Sequence, residues 1–226
     1  MYKGMLVSFT EINKENEDEL KSWFVNEHID ERAINTEGFF RSRLYECLDN
    51  GPKFFATYET TSFDILSSNN YMSKVSNQTK WSKEIIPKLT MLDRLTGKVT
   101  IDKMRGYGGN IIVFRFLPLE MRENRDNLRK IFRTEFDQII KLKFINGLCL
   151  IENDSKVSTS TGKKAENIGG NPNLNIKDEW LVIIEGQDDL KLKNSFDRIF
   201  NKKIIEDNLG KKISTNSYRL IYGNNR

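Results

Sequence analysis

The chain contains one histidine, His28. An imidazole is the side chain whose ordinary pKa lets it give and take protons near neutral pH, so His28 is the first candidate for general acid–base chemistry. Leu20, Trp23 and Phe24 set an apolar helix face at i, i+3 and i+4. Continuing that spacing brings Glu27, His28 and Glu31 onto or beside the same face. A carboxylate buried without a partner costs several kcal/mol or takes up a proton, so this face needs local ion pairing or a polar cavity. Arg32, Arg41 and Arg43 are candidate partners. In the catalytic reading His28 moves the proton and Glu27 or Glu31 orients it. In the structural reading His28 is a hydrogen-bonded residue near a helix end, and Glu27 holds a neighbouring strand or loop.

The segment after this helix alternates strictly. Arg41, Arg43 and Tyr45 fall on one strand face, and Phe40, Ser42 and Leu44 on the other. On the next strand Phe54, Ala56 and Tyr58 alternate with Phe55, Thr57 and Glu59. With Trp23, Tyr71 and Trp81 these residues make a candidate binding wall in which Tyr45, Tyr58 or an arginine holds a carbonyl or enolate oxygen. The same pattern also describes an ordinary core with tyrosines at its rim.

The elements that position these groups occur twice. Leu20–His28 aligns with Leu128–Phe136 at an offset of 108 residues, with Leu, Phe and Glu retained. The first half reads as strand 5–10, helix 14–31, strands 39–48 and 53–60, helical stretches to 86 and strand 89–101. The second reads as strand 110–117, helix 125–143, strands 148–153 and 179–185, helix 190–207 and strand 213–222. Both are β-α-β-β-α-β. The expected fold is therefore α+β, two tandem ferredoxin-like units over residues 1–104 and 105–226. Glu135 stands where the first copy has Glu27, but Phe136 replaces His28 and Ile139 replaces Glu31. A pocket is expected in the first unit and a scaffold in the second. Residues 154–178, rich in Ser, Thr, Asn, Lys and Gly, read as a mobile loop. Their Thr161-Gly162-Lys163-Lys164 lacks the spacing and strand-to-helix setting of a phosphate loop.

Composition narrows the classes. Of 226 residues, 38% are hydrophobic and 30% charged, enough apolar material for a core. The 36 basic and 32 acidic residues are interspersed, leaving a net charge of +4 and no concentrated basic face, so nucleic acid is not the expected partner. No apolar run approaches the roughly 20 residues of a membrane span, and the N-terminus lacks a signal-peptide pattern, so a cytoplasmic protein with no membrane partner is expected. Cys47 and Cys149 lie far apart without CxxC spacing, so neither a metal nor a cofactor site is expected from them.

Trp23-Phe24-Val25-Asn26-Glu27-His28-Ile29-Asp30-Glu31-Arg32, followed by Gly38-Phe39 and Arg43-Leu44-Tyr45, resembles the W-[YF]-x-x-E-H-x-x-E-R … G-F … R-x-Y pattern of EthD-like proteins in the dimeric α+β barrel superfamily. The resemblance covers about residues 4–100; the second half shares only the order of elements. It implies a barrel built from two ferredoxin-like units, here in tandem-repeat form as a pseudo-dimer within one monomeric chain. It also implies a histidine at position 28 facing a pocket between helix and sheet. Relatives include cofactor-independent isomerases, cyclases, lyases and monooxygenases acting on small aromatic or polyketide-like compounds, and proteins without known activity. The expectations are thus a cofactor-free enzyme, a non-catalytic small-molecule-binding or scaffold protein, and, third, a haem-binding barrel.

Overall fold

The computed structural model describes residues 1–225, apart from the side chains of Ala33, Ile34 and Ile199. The first unit runs β1 (Lys3–Ile12), helix α1 (Glu17–Trp23) continued by π-turns over Phe24–His28 and Asp30–Ile34, β2 (Phe39–Cys47), β3 (Phe54–Thr60), α2 (Asn69–Ser76), α3 (Lys80–Ile85) and β4 (Leu89–Asp102). The second runs β5 (Asn110–Leu117), α4 (Arg122–Ile139), β6 (Ile145–Asn153), α5 (Ser155–Glu166), β7 (Trp180–Gly186), α6 (Asp189–Phe200), α7 (Lys203–Leu209) and β8 (Lys211–Asn225).

Each unit forms an antiparallel four-stranded sheet, ordered β4-β1-β3-β2 and β8-β5-β7-β6. The edges then pair with one another. β2 joins β8, with Leu44 opposite Tyr222, and β4 joins β6, with Lys98 opposite Glu152. The result is one closed eight-stranded barrel in a single chain, which leaves no sheet edge unpaired. Gly38, at φ +85°, enters β2 through a left-handed conformation that a side chain would strain, and the Ile65 side chain fills the space a Cβ would need.

Strand alternation sorts the side chains into three layers. Met5, Val7 and Phe9 point into the barrel with Phe55, Ile183 and Tyr218. Leu6, Phe54 and Tyr58 point outward and pack beneath α1–α3. Phe114, Phe116 and Trp180 do the same beneath α4 and α6 of the second unit.

The barrel interior corrects part of the expected binding wall. Arg41, Arg43 and Tyr45 face inward, on the side of the sheet opposite α1. Arg43, fully buried, donates to Glu185 at 2.8 Å and to Glu59 at 3.0 Å, while Arg41 clamps Glu59 through two bonds of 2.6 and 2.7 Å. Glu59 and Glu185 hold equivalent positions in the two units, opposite Met5 and Ile111 respectively. One arginine therefore bonds the same residue of both repeats.

Of the expected loop at 154–178, residues 155–166 form helix α5, and 167–178 hold no helix or strand. Asp154 caps α5, accepting from the Lys156 and Val157 N–H groups at 3.1 Å. The Ser158 hydroxyl oxygen and Asn153 Oδ1 both accept from the Thr96 N–H at 2.8 Å, which fixes the start of α5 against β4 of the first unit. The buried side of α5 is Ser158, Thr161, Gly162 and Ala165. Small residues permit close packing without the large apolar periodicity by which a helix is read from sequence.

Candidate functional site

A cavity of about 60 Å³, counted as the room open to the centre of a water molecule, lies between the outward face of the first sheet and its helices. It takes Ser8 from β1, Tyr58 from β3 and Arg94 from β4, Trp23, His28 and Arg32 from the α1 segment, Tyr71 and Gln78 from the α2 region, and Ala165 from α5. The second unit thus contributes one wall to the cavity of the first.

The local winding of the chain explains how His28 reaches it. The Ile29 N–H bonds to the Phe24 carbonyl and the Asn35 N–H to that of Asp30, both i→i+5. Such π-turns widen the helix and rotate later residues relative to an ideal α-helix. Leu20, Phe24 and Arg32 become buried, and Phe24, His28 and Arg32 line the cavity. The imidazole stacks on the Trp23 indole, centres 4.0 Å apart and planes 25° apart, with Phe24 and Tyr58 meeting it edge-on. Its Nδ1 is sealed from solvent and, among the described residues, has no hydrogen-bond partner, and the same holds for the Tyr58 hydroxyl. Burial is the main cause that holds the His28 pKa well below its ordinary value, with the charges of Arg32 and Arg94 acting the same way. The imidazole is therefore neutral at pH 7. Burial pushes the Tyr58 pKa up, so its phenol keeps its proton.

The two glutamates do not line the cavity. Glu27 accepts from the Thr79 hydroxyl at 2.5 Å, and Thr79 caps α3. The repeat preserves this tie in altered form, since Glu135 pairs with Lys202 at 2.5 Å. Glu31 sits behind Arg32, its Oε2 buried and unbonded 3.8 Å from the Arg32 Nε. Burial raises its pKa, and the neighbouring Arg32 only partly opposes that. Trp81 is half-buried and packs against the core outside the cavity. Of the expected site residues, Trp23, His28, Tyr58 and Tyr71 converge. Arg94 was missed, although it shares the outward parity of Leu92, and a charge at a core-facing strand position is a legible signal.

Among the described residues no group of three His, Cys, Asp or Glu side chains is placed to hold a metal ion. Among the described residues no helix is long and apolar enough to cross a membrane.

No family model and no curated protein matches the chain. Solved structures do. A candidate monooxygenase from Fusobacterium nucleatum subsp. nucleatum superposes with a TM-score of 0.63 at 12% identity, covering 100% of this chain and 95% of that one. An anthrone oxidase-like protein gives 0.66 at 8% identity, over 99% and 93%. A heme-binding protein from Thermus thermophilus gives 0.60 at 8% identity, over 98% and 92%. These neighbours are of the dimeric α+β barrel, ferredoxin-like type, and at such identities the likeness is one of fold. Haem does not fit the residues present. The single imidazole is packed face-on against Trp23, and in the second unit Phe136 occupies the matching position, packed against Phe132.

Proposed function

We propose that the cavity of the first unit binds a small, largely apolar molecule and that His28 exchanges a proton with it. The observation that carries this reading is the buried, partnerless Nδ1 of a neutral imidazole beside a partnerless Tyr58 hydroxyl. Leaving such groups unbonded costs about 1–3 kcal/mol each, which a ligand offering a proton and an oxygen acceptor would offset. In this reading His28 is the general base, Tyr58 donates to the developing carbonyl or enolate oxygen, and Trp23 fixes the ring plane. Isomerisation, cyclisation, elimination and oxygenation of an enolate all begin with such a step, in keeping with an EthD-like, cofactor-independent enzyme.

The test is turnover of a panel of phenols and β-dicarbonyl compounds by the wild type and His28→Gln. A proton-transfer role predicts a loss of roughly a hundredfold or more in kcat with the fold retained. Full activity in folded His28→Gln would overturn the role of His28, whereas ligand binding without turnover by the wild type would favour the second reading, a non-catalytic small-molecule-binding protein, which the lowered pKa of His28 also supports.

A further inference from the structure

We infer that the molecule held in this cavity is a small carboxylate with an apolar body, its carboxylate docked between Arg94 and Arg32. This rests on the ligand-binding reading above and adds the charge and class of the ligand.

Four arginines elsewhere in the chain are paired with carboxylates. Arg41, Arg43, Arg115 and Arg129 each meet a carboxylate, at 2.6, 2.8, 2.7 and 2.6 Å. The two cavity arginines do not. Arg32, 5% exposed, spends its Nη2 on the neutral amide oxygen of Gln78 at 2.5 Å and leaves its buried Nη1 without a partner. Among the described residues the one carboxylate within 4 Å of it is Glu31, at 3.8 Å, too far for a hydrogen bond and pushed by burial toward the protonated form. Arg94 donates to the Tyr71 hydroxyl at 3.0 Å and, among the described residues, forms no ion pair. Lys74 adds further positive charge nearby and donates to the Asn35 carbonyl.

Two guanidiniums with at most one weak counter-charge are costly in a cavity otherwise walled by Leu6, Phe24, Phe39, Ile86 and Leu92. A carboxylate matches the planar fork of a guanidinium and supplies the missing acceptor, while an apolar body fits the remaining walls. The same anion would oppose the arginine charges that depress the His28 pKa, so the acid restores basicity to the residue that acts on it.

The experiment is titration calorimetry with phenylacetate and its neutral isostere phenylacetamide, paired with NMR of the His28 ring. The wild type is expected to bind phenylacetate about tenfold or more tightly than the amide, the difference that a charge-assisted hydrogen bond supplies. In Arg94→Gln, a half-buried position that tolerates an amide, the preference should fall below about threefold. Equal or tighter binding of the amide with a perturbed His28 signal would leave the cavity standing and overturn the charge inference. A preference that survives both Arg94→Gln and Arg32→Gln would also overturn it. If neither probe moves the His28 signal at millimolar concentration, the cavity reading and this inference fall together.

Discussion

His28 lies flat against Trp23, five residues earlier, with ring centres 4.0 Å apart. In a regular α-helix residues five apart point in different directions. Here the i→i+5 hydrogen bonds of the π-turn bring His28 back over the preceding turn. The stack, the burial of Nδ1 and the lowered pKa all follow from that one change of winding.

Stability should report the neutral histidine. Because the folded-state pKa lies below the ordinary 6.5, the unfolded chain binds more protons as the pH drops past 6.5, and stability is lost from there down to the folded pKa. His28→Gln removes this dependence. Chemical denaturation at pH 7.5 and pH 5 should show a larger loss for the wild type than for the variant; parallel losses would place His28 in an ordinary solvated environment. Glu31, whose pKa is raised, acts with the opposite sign on the acid side in both proteins and cancels in the comparison.

The barrel interior predicts a sharp dependence on one charge. Arg43 and Glu185 are fully buried at 2.8 Å, so Arg43→Met leaves Glu185 uncompensated. Breaking such a pair costs about 3–5 kcal/mol. Adding Glu185→Gln to Arg43→Met should recover part of that loss, measured by denaturant midpoints. No recovery would mean that the guanidinium acts through packing rather than charge.

In the second unit, α5 should behave as a capped helix. Asp154→Ala should lower stability by about 1 kcal/mol and loosen the cavity wall at Ala165. Hydrogen exchange should find amides 159–166 slower than those of 170–178. Fast exchange throughout 155–166 would show that the helix is only transiently formed.

Since β2–β8 and β4–β6 close the barrel within one chain, no strand edge is left for a second copy to extend. Light scattering and small-angle X-ray scattering should give a compact monomer. A dimer formed by exchange of β8 would contradict this.

The order of elements was legible because strands of period two and helices of period 3.6 alternate clearly along both halves, and Asn110–Leu117 was bounded to the residue. Three features were not. The π-turns leave no mark in hydropathy, so a 3.6-residue period grouped Glu27 and Glu31 with His28, whereas the widened winding turns Glu27 to Thr79. Parity correctly separated Arg41, Arg43 and Tyr45 from Ser42 and Leu44, but not which face looks into the barrel, because both faces of a closed sheet covered by helices are buried. The seam joining β6 to β4 lies between units, and it is this seam that carries α5 to the first unit's cavity.

If His28 is the proton-exchanging group of a ligand cavity, a chain with one histidine allows its protonation to be read directly. The measurement is the ¹⁵N NMR titration of the imidazole with and without saturating phenylacetate. The expected midpoint lies well below 6.5 in the free protein and rises when the ligand is bound. An ordinary midpoint that does not respond to ligand would contradict it.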